Sequence, residues 1–444
     1  MKHAYSKIIG KRTSREISNY GPTLAIDKPC AAVVYKGSMA EPLIKAFKGL
    51  RYNRERVDDI ATCVCPPYDV IADPCVYYER APCNAIRLEL PMGQGGLDPY
   101  GAARRTLDAW IAEKTLSFDD EDSMYVYEQE FSVHDTHLRR TGFIPLVRLD
   151  RQRILTHEQT QEKARKDRQM LAEALKTSTS LVFAMYEDGS KEIGRLIEGA
   201  AREKLYDFID ELSIRNRFYR MTDRAEMTRL ASLMNEKKLY IADGHHRLSV
   251  SFNLGLPYVA IYLTDMHASG VSILPYHRLV KFTRGRGINE VLAPLAPYFD
   301  CSEISRDHGP TLGRLIAGIS SSPVPSFLLY GARGKPFLYM LKQKQAIPFN
   351  PESHEAVRQL RVNVVHSGVL KYLLGVADEE ISFLNDPDEA VACVDSRQCD
   401  YAFFVPATTV DEVKAIAENH LSMPPKSTYF YPKVLAGLVF HKYA

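Results

Sequence analysis

No apolar run in this chain approaches the roughly 18 residues that a membrane-crossing helix needs. The best candidate, VLAGLVF (Val434 to Phe440), is short and reads as a strand, so no membrane partner is expected. A basic excess is also missing. Lys plus Arg number 57 against 55 Asp plus Glu, a net charge of +2, which excludes the overall charge of a dedicated nucleic-acid binder and makes any anion binding local. The N-terminus carries Lys2, Lys7, Lys11, Arg12 and Arg15 against Glu16 but has no apolar stretch for a signal peptide. A frayed basic tail over residues 1–29 and a cytoplasmic protein are expected. The eight cysteines are scattered, five of them between Cys30 and Cys83, and Cys63-x-Cys65 lacks the two-residue spacing of a zinc or redox pair. Reduced thiols are the default. Absent too are a P-loop, a protein-kinase glycine-rich loop with its catalytic loop, and a G-x-S-x-G elbow. PMGQGG lacks the third glycine of a dinucleotide fingerprint.

What is present is an ordinary globular composition, 45% hydrophobic and 25% charged over 444 residues, enough for two or three domains. The pattern predicts an α+β protein without internal repeats. An N-terminal α/β unit over 30–150 would contain a strand at AAVVYKG (31–37), a helix over 100–116, and paired strands at MYVYEQEF (124–131) and TGFIPLVRL (141–149). A central unit over 151–290 would contain strands at SLVFAMYED, KLYIA and YVAIYL and helices over 191–210 and 227–236. A C-terminal unit over 291–444 would hold a hairpin of SFLLYGA and PFLYML, strands at YAFFV and LVFH, and a helix opened by the capping box Thr409-x-x-Glu412.

One corner concentrates chemistry. In LYIADGHHRLSVSFNLGLP a buried-type strand ends at Ala242, Gly244 supplies a permissive backbone, and a helix begins that Gly255 and Pro257 stop. Such a turn aims free backbone N–H groups at the helix start, where phosphate binds readily. His245, His246 and Arg247 add side-chain donors, and Asp243 can hold a metal ion or orient a histidine. Adjacent histidines point about 100° apart on a helix, which disfavours a zinc site made by both. A plain Asp-Gly turn before a solvated helix would explain Asp243 and Gly244 but not three further donors.

A second constellation lies in ILTHEQTQEKARKDRQMLAEAL, where His157, Glu158 and Thr160 precede or open a helix with Ala164, Leu171 and Leu175 on its inner face. Lys163, Arg165, Lys166 and Arg168 follow. They read either as a solvated charged face or as cations that neutralise a phosphoryl group while Glu158 takes a hydroxyl proton. Two further stretches are unusually polar: FKGLRYN with PPYDVI, which places Arg51, Tyr68 and Asp69 on loops, and MPPKSTYFYPK, in which Lys426, Ser427 and Thr428 follow a double proline that rules out helix and could grip an anion or a carboxylate.

The ADGHHR box with its upstream His-Glu pair resembles the free L-serine kinases built on the ParB/sulfiredoxin-like fold. Over nearly its whole length the chain is similar to a longer microbial family, associated with pyrophosphate-dependent serine kinases, that shares FKGLRY, PPYDV, HExT, ADGHHR, ILPYHR and MPPKSTYFYPK. The resemblance implies a ParB/sulfiredoxin-like catalytic core over 151–290 and phosphorylation of free L-serine to O-phospho-L-serine. Inorganic pyrophosphate would be the donor and Mg²⁺ the cofactor, with the product feeding cysteine synthesis. Glu158 would be the general base, with His157 and Asp243 beside it. Gly244, His245, His246 and Arg247 would bind phosphate, with Lys163, Lys166 and Arg168 as further cations. Arg51, Tyr68, Asp69, Thr160, Lys426, Ser427 and Thr428 are the substrate-binding candidates, and Asp243 the metal ligand. ATP or ADP as donor, or a non-catalytic ParB-like nucleotide-binding regulator, are the alternatives.

Overall fold

A computed structural model describes residues 41–133, 136–304, 311–332 and 336–443. The expected basic tail, Cys30 and the AAVVYKG strand lie outside them. Residues from Pro42 onward form one compact unit. Its centre is a ten-stranded mixed sheet of β1 (Ile44–Lys45), β2 (Met124–Val133), β3 (Thr136–Ile144), β4 (Leu146–Arg148), β5 (Ile154–Leu155), β6 (Val182–Tyr186), β7 (Glu203–Ile209), β8 (Arg215–Met221), β9 (Leu239–Asp243) and β10 (Tyr258–Asp265). The order is β7-β8-β2-β3-β10-β6-β9-β5, with β4 pairing both β10 and β1. The sheet therefore draws strands from both sides of residue 150. The β2–β3 pairing is antiparallel, as the alternation of its two segments predicts.

The period of two explains why the central strands are apolar throughout. Tyr240 and Ala242 of β9 and Phe183 and Met185 of β6 enter one core. Their neighbours Leu239, Ile241, Val182 and Ala184 enter another on the opposite face. Helices α1 (Pro99–Ala112), α2 (Glu162–Leu175), α3 (Glu192–Gly199), α4 (Arg224–Met234) and α5 (His245–Asn253) fall among these strands in the chain. Ile193, Ile197, Leu230, Met234 and Leu248, from α3 to α5, close the second core. The first core is closed by a six-stranded sheet of β12 (His277–Val280), β13 (Phe299–Glu303), β14 (Ser326–Gly331), β15 (Phe337–Gln343), β16 (Ile381–Leu384) and β17 (Tyr401–Phe404), in the order β13-β15-β14-β17-β12-β16. Strands β11 (Ser272–Leu274) and β18 (Tyr429–Tyr431) form a separate pair.

The hairpin of SFLLYGA and PFLYML is present as β14 and β15. The capping box at Thr409 is also present, at the start of α6 (Val410–Glu418). Three expectations need correction. The helix over 191–210 stops at Gly199, and the segment beyond becomes β7, where Leu205, Tyr206 and Phe208 turn inward. VLAGLVF is not a continuous strand, since Gly437 turns at φ +96° between isolated bridges at Ala436 and Phe440. Arg51 lies in a short strand, Leu50–Tyr52, rather than a loop.

Candidate active site

The corner after β9 is built as its residue types require. Gly244 has φ +89°, a left-handed conformation that costs other residues strain, and it lets the chain reverse directly into α5. The start of α5 and the Glu158–Gln161 segment before α2 open onto a cavity of about 600 Å³. Tyr68 and Asp69 come from a short turn, Tyr276 from the linker before β12, Asn350, Asn363, His366 and Ser367 from the C-terminal half, and Ser422–Lys426, Thr428 and Lys433 from the final segment. That final segment is anchored by the Met423 N–H donating to the His157 carbonyl at 2.9 Å.

Asp243 organises the floor. Its Oδ2 accepts from Arg247 at 2.8 Å, and its Oδ1 is held by the Lys433 ammonium. Arg247 also donates to the Leu181 carbonyl, which fixes the guanidinium against the sheet. Burial alone would raise the Asp243 pKa, but the charges of Lys433 and Arg247 prevail and hold it at about 2. Two cations share one carboxylate, so this floor carries net positive charge. The N-terminus of α5 adds its own partial positive charge.

Glu158 stands on the wall with its Oε2 3.5 Å from His245 Nδ1. Burial raises its pKa, partly countered by Lys426. His245 is buried and lies edge-on to His157 with ring centroids 4.7 Å apart. Burial drives His157 down to about 4 and His245 well below the usual imidazole range, the latter further disfavoured by the neighbouring His157 ring. Both are neutral at neutral pH. His157 Nε2 meets Thr428 Oγ1 at 3.2 Å, behind the cavity wall. Asp69 is pushed up by burial and by the Asp243 charge, and among the described residues it forms no ion pair.

Of the residues singled out from sequence, Tyr68, Asp69, Glu158, Thr160, Asp243, Gly244, His245, His246, Arg247, Lys426 and Thr428 line this cavity. Others lie elsewhere. Lys163 is exposed on α2, and Lys166 pairs with Glu162 at 2.7 Å on the solvent side. Arg168 turns inward instead, donating to the Glu89 carbonyl at 2.6 Å and stacking 4.3 Å over the Tyr68 ring, so it braces a lining residue. Ser427 donates to the Pro424 carbonyl at 2.7 Å and shapes its own loop. Arg51 pairs with buried Asp119 at 2.6 Å, away from the lining. Lys433 was not singled out, although it closes the MPPKSTYFYPK stretch. Its only sequence signal is a lysine after Pro432 in a segment that returns to the core.

Both oxygens of Asp243 are engaged by cations, which leaves Asp69 and Glu158, among the described residues, as the lining carboxylates without an ion pair to Lys or Arg. Among the described residues no group of three or more His, Cys, Asp or Glu side chains converges as a metal cage. This donor set fits Mg²⁺ held by one carboxylate together with ligand phosphate oxygens.

A family model described as "Protein of unknown function (DUF1015)" matches residues 44–363. The chain belongs to that family. The matched span takes in the central sheet and the Glu158 and Asp243 segments, while Lys426 and Lys433 fall beyond it. No curated protein matches the sequence. Among solved structures, a conserved hypothetical protein from Pyrococcus furiosus is similar at 15% identity and TM-score 0.35, over 65% of this chain and 92% of that one. A free serine kinase in complex with AMP is similar at 14% identity and TM-score 0.37, over 66% and 91%. A C-terminally truncated SbnI from Staphylococcus aureus is similar at 12% identity and TM-score 0.35, over 67% and 86%. Among the described residues no helix is long and apolar enough to cross a membrane.

Proposed function

We propose that this protein phosphorylates the hydroxyl of free L-serine, using inorganic pyrophosphate as donor, on a core of ParB/sulfiredoxin-like type. The observation that carries the reading is one cavity in which the Glu158 carboxylate faces the Asp243–Arg247 corner, with Arg247, Lys433 and Lys426 around it. A base whose pKa burial raises lies nearer the working pH than an ordinary glutamate and takes a hydroxyl proton more readily.

In this reading the terminal phosphate of the donor lies at the N–H groups of α5, with Arg247 and Lys433 neutralising its oxygens. Glu158 takes the proton of the acceptor hydroxyl as that oxygen bonds to the phosphorus. The bond from phosphorus to the bridging oxygen breaks, and orthophosphate leaves with the electron pair. His245, held neutral, keeps Glu158 oriented through its Nδ1 side. Asp69 is the side chain that would hold Mg²⁺ jointly with the donor's phosphate oxygens, and the ion would add charge neutralisation to the transferring group. Neutral Tyr68 and Thr160 border the same space.

The cavity's about 600 Å³ also falls within the size of sites that take a nucleotide-sized ligand, which keeps ATP or ADP as a second donor class. The test is phosphoserine formation from L-serine and Mg²⁺ with pyrophosphate, ATP or ADP in separate reactions, beside Glu158→Gln. Product from pyrophosphate alone, lost in the variant, supports the full reading. Product from a nucleotide replaces the donor, and no product with any donor overturns the phosphotransfer.

A further inference from the structure

Arg278 has no place in the mechanism above, yet it is among the most deeply buried side chains of the protein, at 0% exposure. It lies on β12, and its guanidinium finds only carbonyl oxygens: that of Tyr276, and that of Lys426 at 3.3 Å. Its face covers the Phe383 ring at 5.4 Å, and its Nε has no hydrogen-bond partner. Among the described residues no carboxylate pairs with it. Burial pulls it down to about 9, with no acidic group to offset the fall, so at neutral pH it remains a charged group without a counter-ion. Such a charge is costly in a low-dielectric interior unless an anion approaches.

The element Arg278 supports is the cavity wall. Lys426, whose carbonyl it holds, has φ +53°, a strained conformation for lysine that persists only where the surroundings impose it. The Lys426 ammonium lies 5.1 Å from the Tyr276 ring centroid, faces the cavity and forms no ion pair among the described residues. His366, on the π-helix Val364–Leu373, lines the same wall at 7% exposure, stacks on Phe383 with centroids 6.3 Å apart, and leaves Nδ1 unpartnered. Arg278 and Lys371 together with burial hold that ring neutral. Here, then, among the described residues, are two cations in no ion pair and an imidazole with an unpartnered Nδ1, whereas the Arg247–Lys433 floor already has Asp243.

Lys426 is also the cation that acts most strongly on Glu158. In a β-hydroxy amino acid the carboxylate is only a few bonds from the hydroxyl, so an acceptor whose hydroxyl reaches Glu158 must carry its carboxylate close by. We propose that the Lys426 wall, backed by Arg278, seats the acceptor's α-carboxylate, so that the site selects hydroxylated free amino acids over alcohols lacking a carboxylate. This rests on the phosphotransfer reading for the identity of Glu158's partner. Arg278 is a positioning residue in it, acting through Lys426 and through its field.

The experiment is calorimetric binding of L-serine and of 2-aminoethanol, which is serine without the carboxylate. It is run with Mg²⁺ and methylenediphosphonate, a cleavage-resistant pyrophosphate analogue, on the full chain and on Lys426→Met, Arg278→Met and Arg278→Lys. The full chain is expected to prefer L-serine by about a hundredfold, the scale of a charge-assisted contact. Lys426→Met should cut that preference at least about tenfold. Arg278→Lys should keep more of it than Arg278→Met, whereas a purely structural arginine would lower thermal stability and leave the preference unmoved. Should Arg278→Met fail to fold, Lys426→Met decides alone. Equal binding of the two ligands, no binding of L-serine, or an unchanged preference in Lys426→Met overturns the proposal. A carboxylate preference without phosphoserine from any donor would fault the reaction and spare the subsite. Phosphoserine formation with no such preference would do the reverse.

Discussion

Lys433 and Asp243, 190 residues apart in the chain, form a part-buried ion pair at the floor of the cavity. Removing Asp243 leaves Lys433 and Arg247 without their shared counter-ion, whereas removing Lys433 leaves the carboxylate with Arg247 alone. Asp243→Asn is expected to lower unfolding free energy by about 3 kcal/mol and Lys433→Met by less, because Arg247 still pairs with Asp243, with the double variant losing clearly less than the sum. Urea unfolding of the four proteins measures this, and additive losses would show that the pair is not energetically coupled.

Glu158→Gln should reduce kcat by roughly 10²- to 10⁴-fold and leave the donor's KM within a few-fold. Because burial raises the Glu158 pKa, the acid limb of the pH–rate profile should lie above the ordinary glutamate value of about 4.3. A limb at or below that value would contradict the raised carboxylate.

Acid should destabilise the protein well before Asp243 titrates. His157 and His277 are each 1% exposed, and burial depresses them to about 4 and about 3. Both folded values lie below the unfolded value of about 6.5, so their contribution is complete above that pH and is lost as pH falls toward the folded values. Each should cost about 2 kcal/mol between pH 7.5 and pH 5. Urea midpoints at the two pH values test this. Asp243, depressed to about 2, adds a further loss only below about 3.9, the unfolded aspartate value.

Cys63 and Cys83 place their sulfurs 3.1 Å apart. The Cys63 thiol hydrogen-bonds to Cys83 and draws its pKa down to about 7, against burial. Cys83 should therefore be alkylated by iodoacetamide before Cys63 and Cys65, with a midpoint near neutral pH. In Cys63→Ala the midpoint should climb toward the ordinary thiol value of about 8.5. Mass-spectrometric labelling across pH measures both, and an unmoved midpoint would remove the hydrogen bond as its cause.

How legible the molecule was depended on how local the deciding physics is. The β9 corner could be read from sequence because Gly244 and the polar run after it act within a few residues. Helix α2 was readable as a helix, but the direction of its cations was not. Five residues, nearly one and a half turns of helix, put Arg168 under Tyr68 on a different face from Lys163 in solvent, and the partner that selects Arg168's direction, Glu89, lies 79 residues away. The stretch 191–210 departs from its expected helix beyond Gly199 because its apolar residues suit either period until β8 offers a strand to pair with.

By itself the sequence determined the alternating strands, the helix starts and caps, and four polar segments rich in phosphate and proton chemistry, since backbone preference and side-chain type are properties of neighbouring residues. Only the tertiary structure decided that the Glu158 segment, the Asp243 corner and the final Met423–Lys433 stretch meet around one cavity. It alone decided that Lys433 neutralises Asp243 and that Arg278 stays uncompensated. Those outcomes depend on which distant charges are buried together, and burial is set by the packing of the two sheets rather than by anything a short window of sequence contains.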